Sequence, residues 1–183
     1  MPYTDLGYAQ VRERFTYVEQ ETPVVPGTIR DNLLIARSDA TDDTLADVLD
    51  TVLLADDVAE LPDGLDTSLV TSTVSGAQRQ RIAMPRALLR GADVLLLDEA
   101  TSQLDGRTEA AINQAIKAAS RAGTVFAVAH RLSTVADADV IVVIEVGHVR
   151  ATGTHGELLE SDSLYRELVT RCASTTAREP HQP

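Results

Sequence analysis

The chain has 183 residues, 44% of them hydrophobic, with 16 Lys and Arg against 28 Asp and Glu for a formal net charge of −12. That size and apolar share suffice for a sizeable core in one domain or a little more, and the negative charge argues against nucleic acid or an anionic membrane surface as a direct partner. Cys172 is the only cysteine, which excludes an internal disulfide or a cysteine metal cluster and fits a reducing compartment.

The first residues, MPYTDLGYAQVRERF, lack the basic start and apolar middle of a signal peptide. No apolar run reaches the roughly 18 to 20 residues of a membrane-spanning helix. FTYVEQ is a short β-prone run closed by Gln20, and the prolines and glycine of ETPVVPGT mark a loop after it. Between Asp39 and Leu61 the residues Leu45, Val48, Leu49, Val52 and Leu53 recur at helical spacing behind Thr41, Asp42 and Asp43, which suit a helix start. That region reads as helical. Pro62, Asp63 and Gly64 make a turn, and the polar, β-branched stretch to Thr73 reads as a loop. Ser75 suits a helix N-cap, with Ile82, Leu88 and Leu89 as apolar anchors and Gly91 as the stop. Pro85 predicts a bend or an early break there, because proline inside a helix costs on the order of 3 kcal/mol.

VLLL (94–97) and VFAVA (125–129) are continuous apolar runs, the pattern of parallel strands covered on both faces. A helix from about Gly106 to Ala122 joins them into a βαβ unit, expected to be right-handed. DVIVVIEVGHVRAT reads as two strands about Gly147, and Thr154 with Glu157 fits a capping box before GELLESDSLYREL. The polar stretch from about Ser174 to Pro183 is expected to fray.

Two stretches carry chemistry. Asp98 and Glu99 follow four apolar residues, which places two carboxylates at the carboxyl end of a buried strand, where open α/β sheets bind ligands. One can hold Mg²⁺ through its water shell, and the other can accept a proton from an attacking water. The alternative is an Asp-Glu pair that caps the next helix. In VSGAQ, the helix start offers free N–H groups and a positive dipole end, and Gly76 lets a phosphate approach closely. Ser75 and Gln78 can add hydrogen bonds; an ordinary Ser-capped helix is the alternative.

In chain order, YVEQ, VSGAQRQRIAMPRALL, VLLLDE, SQLD and AHRLST resemble the Q-loop, signature, Walker B, D-loop and switch histidine of the ATP-binding cassette (ABC) transporter ATPase domain. The resemblance runs from about Val11 to Leu168, and PGTIRDNLL is similar to the exporter branch. It implies an α/β fold of the P-loop NTPase type, a mostly parallel sheet flanked by helices with a helical subdomain. Residues 1–29 would form the first strand and Q-loop region and 30–73 the helical subdomain. Residues 74–173 would carry the signature helix, Walker B, D-loop, switch histidine and C-terminal elements, leaving 174–183 as a flexible tail. The implied cofactors are ATP and Mg²⁺. Glu99 would be the general base, Asp98 would support Mg²⁺, and His130 would touch the γ-phosphate. Gln20 would contact the metal or water and couple the site to the membrane domain. Ser75, Gly76, Ala77 and Gln78 would complete the nucleotide site of the opposite subunit, with Asp105 at the dimer contact. The implied partners are the transmembrane domain of an ABC exporter and a second nucleotide-binding domain, on the cytoplasmic side of a membrane.

The pattern departs from the family in three places. No G-x-x-x-x-G-K-[ST] occurs in the 183 residues, so the phosphate-cradling P-loop is missing from them. Only 19 residues precede Gln20, so the chain is expected to begin inside the domain, with open strand edges that favour instability or self-association. Little or no ATPase activity is expected from the chain alone. Ala77 stands where the family usually has a second glycine, and Pro85 where it commonly has alanine. Two functions follow: ATP hydrolysis coupled to export in a full-length form, or a truncated non-catalytic remnant that pairs with another nucleotide-binding or membrane subunit.

Overall fold

The computed structural model describes residues 7–19, 24–70, 81–100, 104–128 and 135–176, without the side chains of 172–176. The chain divides into two compact units at Val128 and Ala129.

The first unit is built on three parallel strands in the order β1-β2-β3: β1 (Phe15–Val18), β2 (Val94–Asp98) and β3 (Thr124–Val128). Helix α1 (Tyr8–Arg14) leads into β1. The register pairs Phe15 with Val94 and Val18 with Leu97, and on the other side Val94 with Thr124 and Asp98 with Val128. The expectation of apolar strands covered on both faces holds for β2, where Val94, Leu95 and Leu97 are buried. It fails for β3, where Phe126 is 62% and Val128 61% exposed and only Val125 packs against the core. Among the described residues of this unit β3 pairs with β2 alone, so the continuous apolar run in its sequence receives less cover than that of β2.

The helical part starts at α2 (Ile29–Leu34), held by a capping box in which Thr28 accepts from the Asp31 N–H and the Asp31 carboxylate accepts from the Thr28 N–H. The helical stretch read between Asp39 and Leu61 is two helices, α3 (Asp42–Thr51), capped by Thr41, and α4 (Ala55–Ala59). The break is at Leu53, whose φ of 55° is left-handed. Leu49, Val52, Leu54 and Val58 all reach one core, and a straight helix could not turn all four inward. The strained corner is tied by Arg81, which donates to the Leu53 carbonyl (3.0 Å) and to Asp57 (3.0 Å). Pro-Asp-Gly leads into a short 3₁₀ turn, Gly64–Asp66. Helix α5 (Ala83–Arg90) follows a turn at Ile82 and ends at Gly91 with φ 57°. The helix expected from Ser75 lies outside the described residues as far as Gln80; Arg81 is helical, and Ile82 keeps a right-handed helical backbone (φ −67°, ψ −21°). Proline falls in the first turn of α5, where no intrahelical partner for an N–H is required. Helix α6 (Gly106–Ser120) crosses from β2 to β3. Ile29, Leu33, Leu45, Leu54 and Ile112 are essentially buried, each such burial contributing about 1.5–3 kcal/mol.

The second unit is a hairpin, β4 (Ile141–Glu145) and β5 (His148–Gly153), followed by α7 (His155–Ser161) and α8 (Ser163–Thr176). Val146 and Gly147 both have positive φ, 50° and 76°, the backbone a two-residue hairpin turn requires. Thr154 and Glu157 form the expected capping box. Helix α8 is described as far as Thr176, and the rest of the stretch expected to fray, 177–183, lies outside the described residues. Ile141, Val143, Leu158 and Tyr165 make a separate core. Among the described residues no helix is long and apolar enough to cross a membrane.

Candidate functional site at the carboxyl edge of the parallel sheet

Parallel pairing brings the carboxyl ends of the strands to one edge. Because Tyr17 is registered with Leu96, its side chain shares a face with Leu96 and with Asp98 two residues on. Its hydroxyl donates to Asp98 Oδ2 at 3.0 Å. That hydrogen bond, with smaller contributions from partial burial and the charges of Asp98 and Glu19, holds the Tyr17 proton above the ordinary tyrosine range. Asp98 and Glu99 are both half-buried. Glu99 ends the ladder: its N–H donates to the Val128 carbonyl (3.0 Å), and its φ of 51° is left-handed. For a residue other than glycine that conformation costs about 1–2 kcal/mol, and such strain clusters at functional positions. The chain thus swings off the strand directly behind Asp98.

The Asp-Glu pair does not cap the next helix. That position belongs to Asp105, the N-cap of α6: Oδ1 accepts from the N–H groups of Arg107 and Thr108 (3.0 Å each), and Oδ2 accepts from the Thr108 hydroxyl (2.7 Å). The Thr108 hydroxyl and N–H, then the Arg107 N–H and the charge of Arg81, hold the Asp105 carboxyl below the usual aspartate range. A depressed folded-state pKa gives stability that is present above the unfolded value, near 4, and is lost as pH falls through the folded value. Asp105→Ala should cost about 1 kcal/mol near neutral pH, the usual cost of an emptied N-cap. In urea melts that deficit should shrink below about pH 4 as the wild-type cap protonates; a deficit constant from pH 7 to 3 would contradict the cap.

Of the residues singled out in the sequence, Asp98 and Glu99 stand together at this edge and Asp105 caps α6, while Gln20, Ser75, Gly76, Ala77, Gln78 and His130 lie outside the described residues. In sequence, Gln20 follows the last residue of β1 by two and His130 follows the last residue of β3 by two. Sequence reasoning missed Tyr17, for the only signal was its alternation with Val18, and the strand it would pair with could not be read from the residues. Among the described residues no cluster of three or more carboxylate, histidine or cysteine side chains could cage a metal by itself. Two adjacent carboxylates fit Mg²⁺ in its other mode, bound through one or two carboxylates, retained waters and nucleotide phosphates.

A three-stranded parallel sheet flanked by helices, with two carboxylates at its carboxyl edge, is an α/β architecture. A family model described as ABC transporter matches residues 2–102, and the chain belongs to that family. It is 42% identical over 167 residues to an ABC transporter of Fusarium pseudograminearum, covering 90% of this chain and 13% of that protein. It is 42% identical over 170 residues to the ABC multidrug transporter mdr1 of Aspergillus fumigatus, covering 91% and 13%. It is 40% identical over 166 residues to the ABC transporter ATP-binding protein y4gM of Sinorhizobium fredii, covering 90% and 28%. Among solved structures, a bacterial Atm1-family ABC exporter with ATP bound superposes with a TM-score of 0.83 at 34% identity, covering 90% of this chain and 30% of that one. The chain therefore spans only a fraction of the length of these relatives.

Proposed function

We propose that the chain supplies the catalytic carboxylates of an ABC exporter ATPase domain, coupling ATP hydrolysis to transport across a membrane. The observation that carries this reading is the end of β2, where Asp98 reaches the carboxyl edge and the left-handed Glu99 stands directly behind it. Similarity to ABC multidrug transporters and to an ATP-bound exporter supports it. Asp98 would hold Mg²⁺, which when bound would supply positive charge against the negative charge that develops in phosphoryl transfer. The carboxylate would do so through the metal's water shell, and Glu99, on a backbone turned out of the strand, would take the proton of the attacking water. Gln20 and His130, each shortly beyond the end of a parallel strand, would serve the metal or water and the γ-phosphate. Ser75, Gly76, Ala77, Gln78 and Asp105 would face a second nucleotide-binding domain, and Asp105 would do so while capping its own helix. A transmembrane domain of an exporter is the other proposed partner.

A second reading is a non-catalytic chain that only pairs with another ATPase or membrane subunit, favoured by the missing G-x-x-x-x-G-K-[ST] and by Ala77 in the signature. Mg-ATP titration and turnover, with the chain alone and mixed with a full-length ABC nucleotide-binding subunit, separate the two. Catalysis by this chain requires turnover in the mixture above that of the subunit alone, and Glu99→Gln should reduce the excess by about 10²–10⁴. A mixture no faster than the subunit alone, and indifferent to Glu99→Gln, supports the non-catalytic reading.

A further inference from the structure

We propose that Tyr17 is the positioning residue of Asp98, fixing the rotation of its carboxylate so that one oxygen is presented to the magnesium shell. The inference rests on the assignment of Asp98 to Mg²⁺ made above and adds a residue to it. Asp98 accepts from Tyr17 through Oδ2 alone, and among the described residues Oδ1 accepts no hydrogen bond and no cation pairs with either oxygen. A carboxylate held by Arg or Lys would have its charge countered. A neutral phenol aligns it and leaves the charge for a metal.

The geometry comes from the backbone rather than from chance contact. Tyr17 lies opposite Leu96 in the parallel ladder, so the reach to Asp98 is the diagonal one that long side chains make across paired strands. With half of its surface exposed, Tyr17 is not needed to fill the core, and its immediate neighbours along β1, Thr16 and Val18, face the other way and are buried. The hydroxyl is the part of the side chain with a specific task. The arrangement resembles the outer-shell partners that orient metal ligands elsewhere, whose removal typically costs 10- to 100-fold in metal affinity where the ligand binds the ion directly. A ligand acting through water should show a smaller effect.

The test uses Mn²⁺ as the probe, titrated into the full chain and followed by water-proton relaxation, with thermal unfolding measured on the same samples. Asp98→Asn should remove one component of Mn²⁺ binding, and Tyr17→Phe should weaken that component about three- to tenfold with the thermal midpoint unchanged. If Asp98→Asn removes the component while Tyr17→Phe leaves it at wild-type affinity, the positioning role is wrong and the metal assignment of Asp98 stands. If no component depends on Asp98, the metal assignment fails and the role of Tyr17 fails with it. Weakened binding that merely tracks a lowered thermal midpoint in Tyr17→Phe also overturns the proposal, since packing would then explain the loss.

Discussion

Asn32→Ala should destabilise the first unit by about 2–4 kcal/mol, read as a lower urea midpoint with an unchanged slope. Asn32 is a fully buried polar side chain in α2, and its amide is satisfied by the main chain alone. Oδ1 accepts from the Val25 N–H (2.8 Å), and Nδ2 donates to the carbonyls of Val25 (2.9 Å) and Thr28 (2.9 Å). Truncation removes three hydrogen bonds at once from a fully buried side chain, although Val25 itself is 45% exposed. An unmade buried bond costs about 1–3 kcal/mol, which sets the range. The contact replaces strand pairing for a segment that has none of its own, since Val25 stands between prolines 23 and 26. Nearby, Ile29 N–H donates to the Thr67 carbonyl (3.1 Å) and Leu69 N–H to the Gly27 carbonyl (2.9 Å). The loss should therefore be felt beyond one loop, with early proteolytic cleavage near Val25. A variant as stable and as protease-resistant as wild type would show that Asn32 is not the fastener.

Those contacts mark where sequence reasoning ends. Local signals were legible because they act over a few residues: the caps at Thr41 and Thr154 are side chains meeting their own backbone, and Gly91 and Gly147 take the positive φ that a helix stop and a tight turn require. Apolar runs likewise marked β2 and β3 as parallel strands with Asp98 at a carboxyl end. The same runs could not say which strand is central, so the exposure of Phe126 was not foreseen. The left-handed Leu53 escaped notice because helical spacing continues through it, and the corner depends on Arg81, far along the chain. The Tyr17–Asp98 bond spans 81 positions and exists only once β1 and β2 are registered. Glu99 was legible as a carboxylate in the right place, but its strained backbone was not, because nothing local in DEAT demands it.

Gly123→Ala should cost about 1–3 kcal/mol and loosen the pairing that carries the candidate site, although Gly123 sits in a turn far from Asp98. A Cβ added there would lie 2.6 Å from the Asp93 carbonyl oxygen, 3.2 Å from its carbon and 3.4 Å from the Ala92 carbonyl oxygen. All three are main-chain atoms, so no rotamer change relieves the clash, and overpacking of this kind typically costs 1–3 kcal/mol. The Asp93 carbonyl also accepts the Thr124 N–H at 2.8 Å, the bond that opens the β2–β3 ladder. Pushing Asp93 away disturbs the first rung of a register whose last rung pairs Asp98 with Val128 and whose final bond is Glu99 N–H to Val128. Amide exchange at Glu99 should therefore quicken along with that at Thr124. Gly106→Ala is the control, since a Cβ there meets nothing within 4 Å at the first position of α6, and it should be neutral or slightly stabilising. If Gly123→Ala matched that control in stability and in exchange at Glu99, the turn before β3 would have no hold on the carboxyl edge. Placement of Glu99 would then rest on β1 and on its own left-handed backbone.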